Sequence, residues 1–116
     1  MFRAAKTKAP SVYMLAGKRD GVLYIGVTSD LPKRLFEHSQ ELIPGFTSRY
    51  KVKHLVYYEV FENMEAAIVR EKRLKDWHRA WKVRLIHGFN PEWRDLFDAE
   101  TGEIADGPAD VERERG

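Results

Sequence analysis

Two β-forming runs open the pattern of apolar and polar positions: residues 11–17 (SVYMLAG) and 21–27 (GVLYIGV), separated by the polar Lys18-Arg19-Asp20 between two glycines. Runs this close together pair most economically as an antiparallel hairpin, which brings Tyr13 and Tyr24 near one another. The period then changes. Asp30 is placed to cap a helix, Pro32 fits its first turn, and the helix is expected to run to about Leu42, before Pro44 and Gly45. Arg34 and His38, four apart, share one face of it. An arginine in the first turn faces the positive end of the helix dipole, so stability does not account for its position.

Residues 45–53 (GFTSRYKVK) read as an exposed basic loop, and residues 54–61 (HLVYYEVF) as a third strand. Asn63 can cap a second helix over residues 64–77, whose apolar stripe is Met64, Ala67, Ile68 and Leu74. Glu71 falls inside that stripe, where a lone carboxylate is costly unless a cation or hydrogen-bond donor meets it. A third helix follows, with Trp81 and Leu85 inward and Gly88 at its end, and then a docking segment, NPEWRDLF. The reading divides the chain into a flexible arm (1–10), a domain (11–97) and an acidic, disordered tail (98–116).

A length of 116 residues suits one compact domain with a real core. The chain has no cysteine, which removes disulfides and thiolate metal sites from consideration and leans toward a reducing compartment. No apolar run approaches the roughly 20 residues of a membrane span, and MFRAAKTKAP lacks the apolar centre of a signal peptide. A cytoplasmic protein with no membrane partner is expected. The net charge of +2 conceals an asymmetry: residues 1–97 hold 18 bases against 11 acids, and residues 98–116 hold seven acids against two bases. A body so basic expects a polyanion, for which the acidic tail would compete.

The residues that stand out are Tyr13, Tyr24, Arg34, His38 and Glu71. Here the chain resembles the GIY-YIG nuclease domain, most closely its small stand-alone bacterial members. The second motif stands as Tyr24-Ile25-Gly26, followed in the family's order by Thr28, Asp30-Leu31, Arg34 and His38. The first motif is altered to Ser11-Val12-Tyr13 but keeps the tyrosine. Glu71 in EKRLKDW and Asn90 in NPEW continue the likeness, which covers residues 11–97. It implies an α+β fold, a small three-stranded antiparallel sheet flanked by helices, bearing a divalent-metal-dependent phosphodiesterase site.

The same residue types suit the chemistry independently. Cleaving a phosphodiester requires charge neutralisation at phosphorus, an activated water and help for the leaving oxygen. Mg²⁺, with Mn²⁺ as a substitute, keeps most of its waters and needs only one or two carboxylates, so Glu71 alone can anchor it. Arg34 offers a planar fork for phosphate oxygens. The resemblance points to Tyr13 as general base, with His38 orienting it or sharing the proton transfer, Tyr24 positioning water or phosphate, and Asn90 as an organiser. His54, His78 and His87 lack zinc-ligand spacing and read as structural or surface residues. Taken singly, each of these residues has an ordinary explanation, from a packed tyrosine to a Glu71 ion pair with Arg70, Lys75 or Arg34. The ordered set is what points to a site.

Lys72, Lys75, Arg79 and Lys82 fall near one face of residues 70–82; a solvated helix is the default reading of such a face, and the functional one is a groove for phosphates formed with Arg49, Lys51 and Lys53. Trp77 and Trp81 read as core rather than as platforms for bases. The expectation is a Mg²⁺-dependent endonuclease acting on DNA, structure-selective or non-specific, in repair or recombination, with RNA left open as a substrate and room for a repair or recombination protein partner. The rival is a non-catalytic nucleic-acid-binding or partner-docking module with the same fold. The sequence is silent on oligomeric state.

Overall fold

The computed structural model describes residues 9–19, 21–40, 42 and 52–105. Most of the expected N-terminal arm, Arg49 and Lys51 of the basic loop, and residues 106–116 of the expected tail lie outside the described residues. In chain order the elements are β1 (Ser11–Ala16), β2 (Leu23–Thr28), α1 (Leu31–Ser39), β3 (His54–Val60), α2 (Met64–Asp76), α3 (Arg79–Phe89), β4 (Phe97–Asp98) and β5 (Glu103–Ile104). The main sheet has three antiparallel strands in the order β2-β1-β3. With the helices around it, this is the expected α+β architecture.

Alternation along the strands gives the sheet two faces. Tyr13 and Leu15 of β1 share the first with Leu55 and Tyr58 of β3 and Tyr24 of β2, packed under Leu31 and Leu35 of α1. Val12, Met14, Ile25, Val56 and Tyr57 form the second, packed against Ala67 and Leu74 of α2 and Ile86 of α3. The central strand β1 is buried along its whole length. Val56 and Tyr57 lie on the same face because β3 bulges: Met14 pairs with Tyr57 and Leu15 with Leu55, which leaves Val56 as the extra residue.

Both anticipated helix starts are capped. The Asp30 carboxylate accepts from Lys33 N and the Asn63 amide oxygen from Ala66 N. α1 ends at Ser39, earlier than the expected Leu42. On α2, Ala67 and Leu74 are buried, but Ile68 of the expected inward stripe is exposed. On α3 the core position belongs to Ile86; Leu85 is half-buried and Trp81, expected inward, is 50% exposed.

The packed chain continues past residue 97. β4 and β5 form a hairpin whose turn is closed by Gly102 at φ +78° and by the Asp98 carboxylate, which accepts from Glu100 N and Thr101 N. Ile104 is wholly buried on the first face, and Ala105 O accepts from the Tyr58 hydroxyl at 2.7 Å. Asp95 joins this hairpin to the sheet: its Oδ1 accepts from Leu55 N and Phe97 N, and Leu96 N donates to Leu55 O. The edge of β3 is thereby partly covered.

Candidate active site

β1 and β2 place their aromatic residues by register. Tyr13 lies opposite Gly26, and Tyr24 opposite Leu15, so both phenols project from the first face. A Cβ on Gly26 would stand 2.5 Å from Tyr13 Cζ and from its hydroxyl oxygen. The glycine of the Tyr-Ile-Gly motif is therefore the space into which the Tyr13 ring fits. β2 then stops at Thr28, whose Oγ1 accepts from Asp30 N at 3.1 Å, and α1 begins at once.

Leu31, Leu35 and His38 make the buried stripe of α1, so the helix docks with two leucines and an imidazole. His38 Nε2 lies 3.0 Å from the buried Tyr13 hydroxyl. The rings of Tyr13, Tyr24 and His38 form a mutual cluster, with centroids 6.2 Å apart for the two tyrosines and 5.8 and 5.5 Å from each to the histidine. Arg34, one turn before His38, is 42% exposed by its side chain and touches Glu37 only at 3.7 Å. It is close enough to act electrostatically on both Tyr13 and His38.

Burial pushes the Tyr13 phenol well above its ordinary range; Tyr24 adds to this and Arg34 opposes it. Burial likewise lowers His38, and the Arg34 charge lowers it further. At neutral pH the pair is thus a protonated phenol beside a neutral imidazole. With its proton on Nδ1, His38 presents Nε2 as the acceptor for the Tyr13 O–H.

Glu71 extends from α2, which packs along β2 and β1. Its side chain is 14% exposed and its Oε2 meets Lys75 Nζ at 2.9 Å. That ion pair is one of the partners anticipated for a carboxylate in the apolar stripe. Glu71 also lies within electrostatic reach of Tyr13. Among the described residues no cluster of three or more histidine, aspartate or glutamate side chains could grip a metal. One carboxylate, held by an exposed and displaceable lysine, fits a hard cation that keeps most of its water.

Asn90 has a definite task. Wholly buried at the end of α3, it donates from Nδ2 to Val56 O (3.2 Å) and Arg94 O (2.8 Å), while its Oδ1 accepts from Arg94 N. The bulge leaves the Val56 residue unpaired, and Asn90 supplies the missing donor. All three contacts are to backbone.

The expected phosphate groove is not one continuous helix face. Lys72 and Lys75 lie on α2, Arg79 and Lys82 on α3, with the break at Trp77 and His78. Lys75 pairs with Glu71, Arg79 donates to Gly21 O, and Lys82 donates to Lys75 O. Lys53 is half-buried just before β3. His54, His78 and His87 are all exposed.

Two features escaped the sequence reading. Asp95 carries the buried junction with Leu55, and burial raises its carboxyl despite the two N–H donors that oppose this. The second is a groove of about 580 Å³ lined by Tyr57, Trp77, Trp81, Arg84, Leu85, Gly88 and Phe89. The repeated large aromatics on α3 were its only signal.

The profile of the GIY-YIG catalytic domain matches residues 9–84. A UPF0213 protein of Staphylococcus saprophyticus is 34% identical over 68 residues, 59% of this chain and 83% of the relative. A UPF0213 protein of Staphylococcus aureus is 36% identical over 67 residues, 58% of this chain and 82% of the relative. No solved structure matches. The paired strands, the glycine that admits the Tyr13 ring and the match over residues 9–84 agree: the chain belongs to the GIY-YIG family, with its nuclease-type fold.

Proposed function

We propose that this protein is a metal-dependent endonuclease that hydrolyses DNA phosphodiesters in the cytoplasm, at structural intermediates of repair or recombination. The observation that carries the reading is the buried Tyr13–His38 pair beside the Arg34 guanidinium. A phenol joined to a neutral imidazole is a proton relay: as the Tyr13 oxygen takes a proton from the attacking water, its own proton passes to His38 Nε2. The water oxygen bonds to phosphorus, the opposite P–O bond breaks, and the leaving oxygen is protonated from solvent. Arg34 holds the non-bridging oxygens as charge accumulates on them. Tyr24 positions the water or phosphate through its hydroxyl, and Asn90 keeps β3 in place from a distance. Glu71 would hold Mg²⁺ or Mn²⁺, and the cation, when bound, would supply charge neutralisation at the phosphate and at the leaving oxygen. Because burial keeps Tyr13 protonated, the relay assigns the resting base to His38 rather than to a free tyrosinate.

The test is cleavage of labelled linear, nicked, branched and single-stranded DNA, with and without Mg²⁺, by wild type, Glu71→Gln and Arg34→Ala. Metal-dependent cleavage by wild type, reduced about a hundred- to a thousand-fold in either variant, is the expected result. Equal activity in all three would assign the cleavage to a contaminant. No cleavage with binding retained would leave a nucleic-acid-binding module.

A further inference from the structure

Among the described residues Trp81 (50%) and Phe36 (47%) are the exposed large aromatics, and Trp81 alone of the two lines a groove. It forms part of an open groove between the end of α2, helix α3 and the second face of β3. The walls are held rigidly. Trp77 has the Arg70 guanidinium 5.1 Å from its ring centroid, and Arg70 is fixed by hydrogen bonds from Nε and a terminal nitrogen to the Glu59 carboxylate. Tyr57 donates to the same carboxylate and meets Phe89 edge-on at 5.0 Å. Trp81 stands at 84° to Trp77, with ring centroids 6.0 Å apart. Aromatic surfaces already held in place lose little freedom when a flat ring stacks on them.

Charge decides what kind of ring. α3 carries Arg79, Lys82 and Arg84 and no acid, and among the described residues no acidic side chain lines the groove. Arg84 is exposed in its lining. A second copy of this chain would bring the same cations to an isologous contact, whereas a polyanion with flat bases suits both the charge and the shape. The volume falls within the range of sites that enclose a small organic group.

We propose that this groove binds unpaired nucleobases, with a Trp81-centred aromatic surface stacking a base and Arg84 meeting the adjoining phosphate. The inference rests on the nuclease reading for its substrate and narrows that substrate to DNA with a single-stranded portion. Tyr57 and Tyr13 project from opposite faces of the sheet, so the groove is separate from the tyrosine cluster. An unpaired strand held there would be directed away from the duplex being cut.

The test is fluorescence anisotropy in EDTA, so that cleavage plays no part, with labelled oligothymidylate and a labelled blunt duplex. Wild type, Trp81→Ala, Trp81→Phe and Arg84→Ala are compared, with thermal melting of each as the folding control. Trp81→Ala is expected to weaken oligothymidylate binding about tenfold and leave duplex binding unchanged, while Trp81→Phe retains most of the affinity. Arg84→Ala should weaken binding and lower the salt dependence by about one released ion. Equal oligothymidylate affinity in wild type and Trp81→Ala, or none in wild type, overturns the proposal. So does a wild-type dimer that Trp81→Ala converts to monomer without loss of nucleic-acid binding, which would give the groove to a second copy. Trp81-dependent binding without any cleavage in Mg²⁺ would remove the nuclease reading alone; normal cleavage with Trp81-independent binding would remove the groove alone.

Discussion

Two aromatic clusters flank one small sheet, and they are built differently. On the first face Tyr13, Tyr24 and His38 cluster around a buried hydrogen bond, with Arg34 close by. On the second, Tyr57, Trp77, Trp81 and Phe89 line an open groove, with Arg84 in its wall. Burial around a phenol and an imidazole sets their protonation, which suits the pair to the proposed proton transfer. Exposure of indole faces leaves no proton to move and gives a surface for stacking. On the two proposals above, the same class of side chain serves chemistry where it is buried and recognition where it is exposed.

Tyr13→Phe should damage the first face most. Cleavage should fall about a hundred- to ten-thousand-fold, because the relay loses its hydroxyl. His38 Nε2 also loses the Tyr13 partner, so melting should report a destabilisation of about 1–3 kcal/mol. Unchanged cleavage would remove the relay from the mechanism. Gly26→Ala attacks the same face through packing alone. The new methyl would fall on the Tyr13 ring, and overpacking of this kind costs about 1–3 kcal/mol, measurable by urea denaturation.

Acid titration acts on the first face through His38. His38 is held neutral in the fold below its ordinary value of 6.5. The unfolded chain takes up a proton near pH 6.5 that the folded chain refuses, so this contribution makes stability fall as pH drops below about 6.5. Urea midpoints between about pH 7 and pH 5 should show that slope in wild type and less of it in His38→Gln. Cleavage should rise with pH through the His38 titration and then level, because burial carries Tyr13 above its usual value of about 10. A continuing rise across the neutral range would restore Tyr13 as the resting base. The smallest effect belongs to the open cluster: Trp81→Ala should change stability by no more than about 0.5 kcal/mol in thermal melting.

Much of the first face was legible in the sequence because its signals are local. Asp30 and Pro32 mark a helix start, and two short runs around a polar turn mark a hairpin, so Tyr13, Tyr24, Arg34 and His38 converge from neighbouring segments. The rest depends on distant contacts. Residues 98–105 read as acidic tail because they contain one large apolar residue, Ile104, and its burial depends on a partner surface made by Leu55 and Leu96. The bulge at Val56 has no local mark, so the purpose of Asn90 becomes visible only when its amide is seen at that carbonyl. Trp81 read as core because amphipathic spacing allows more than one inward face; Ile86 took that position and turned the indole outward.

Ile104 also sets an order of events during synthesis. Of the described core residues it is the last to leave the ribosome, and it closes the same cluster that contains Tyr13 and Leu55. Until it emerges, the hydrophobic seal of the first face lacks one wall, and the phenol–imidazole pair is not fully enclosed. A nascent chain, still tethered beside messenger and ribosomal RNA, therefore carries the phenol–imidazole pair incompletely covered until this late hairpin folds over it.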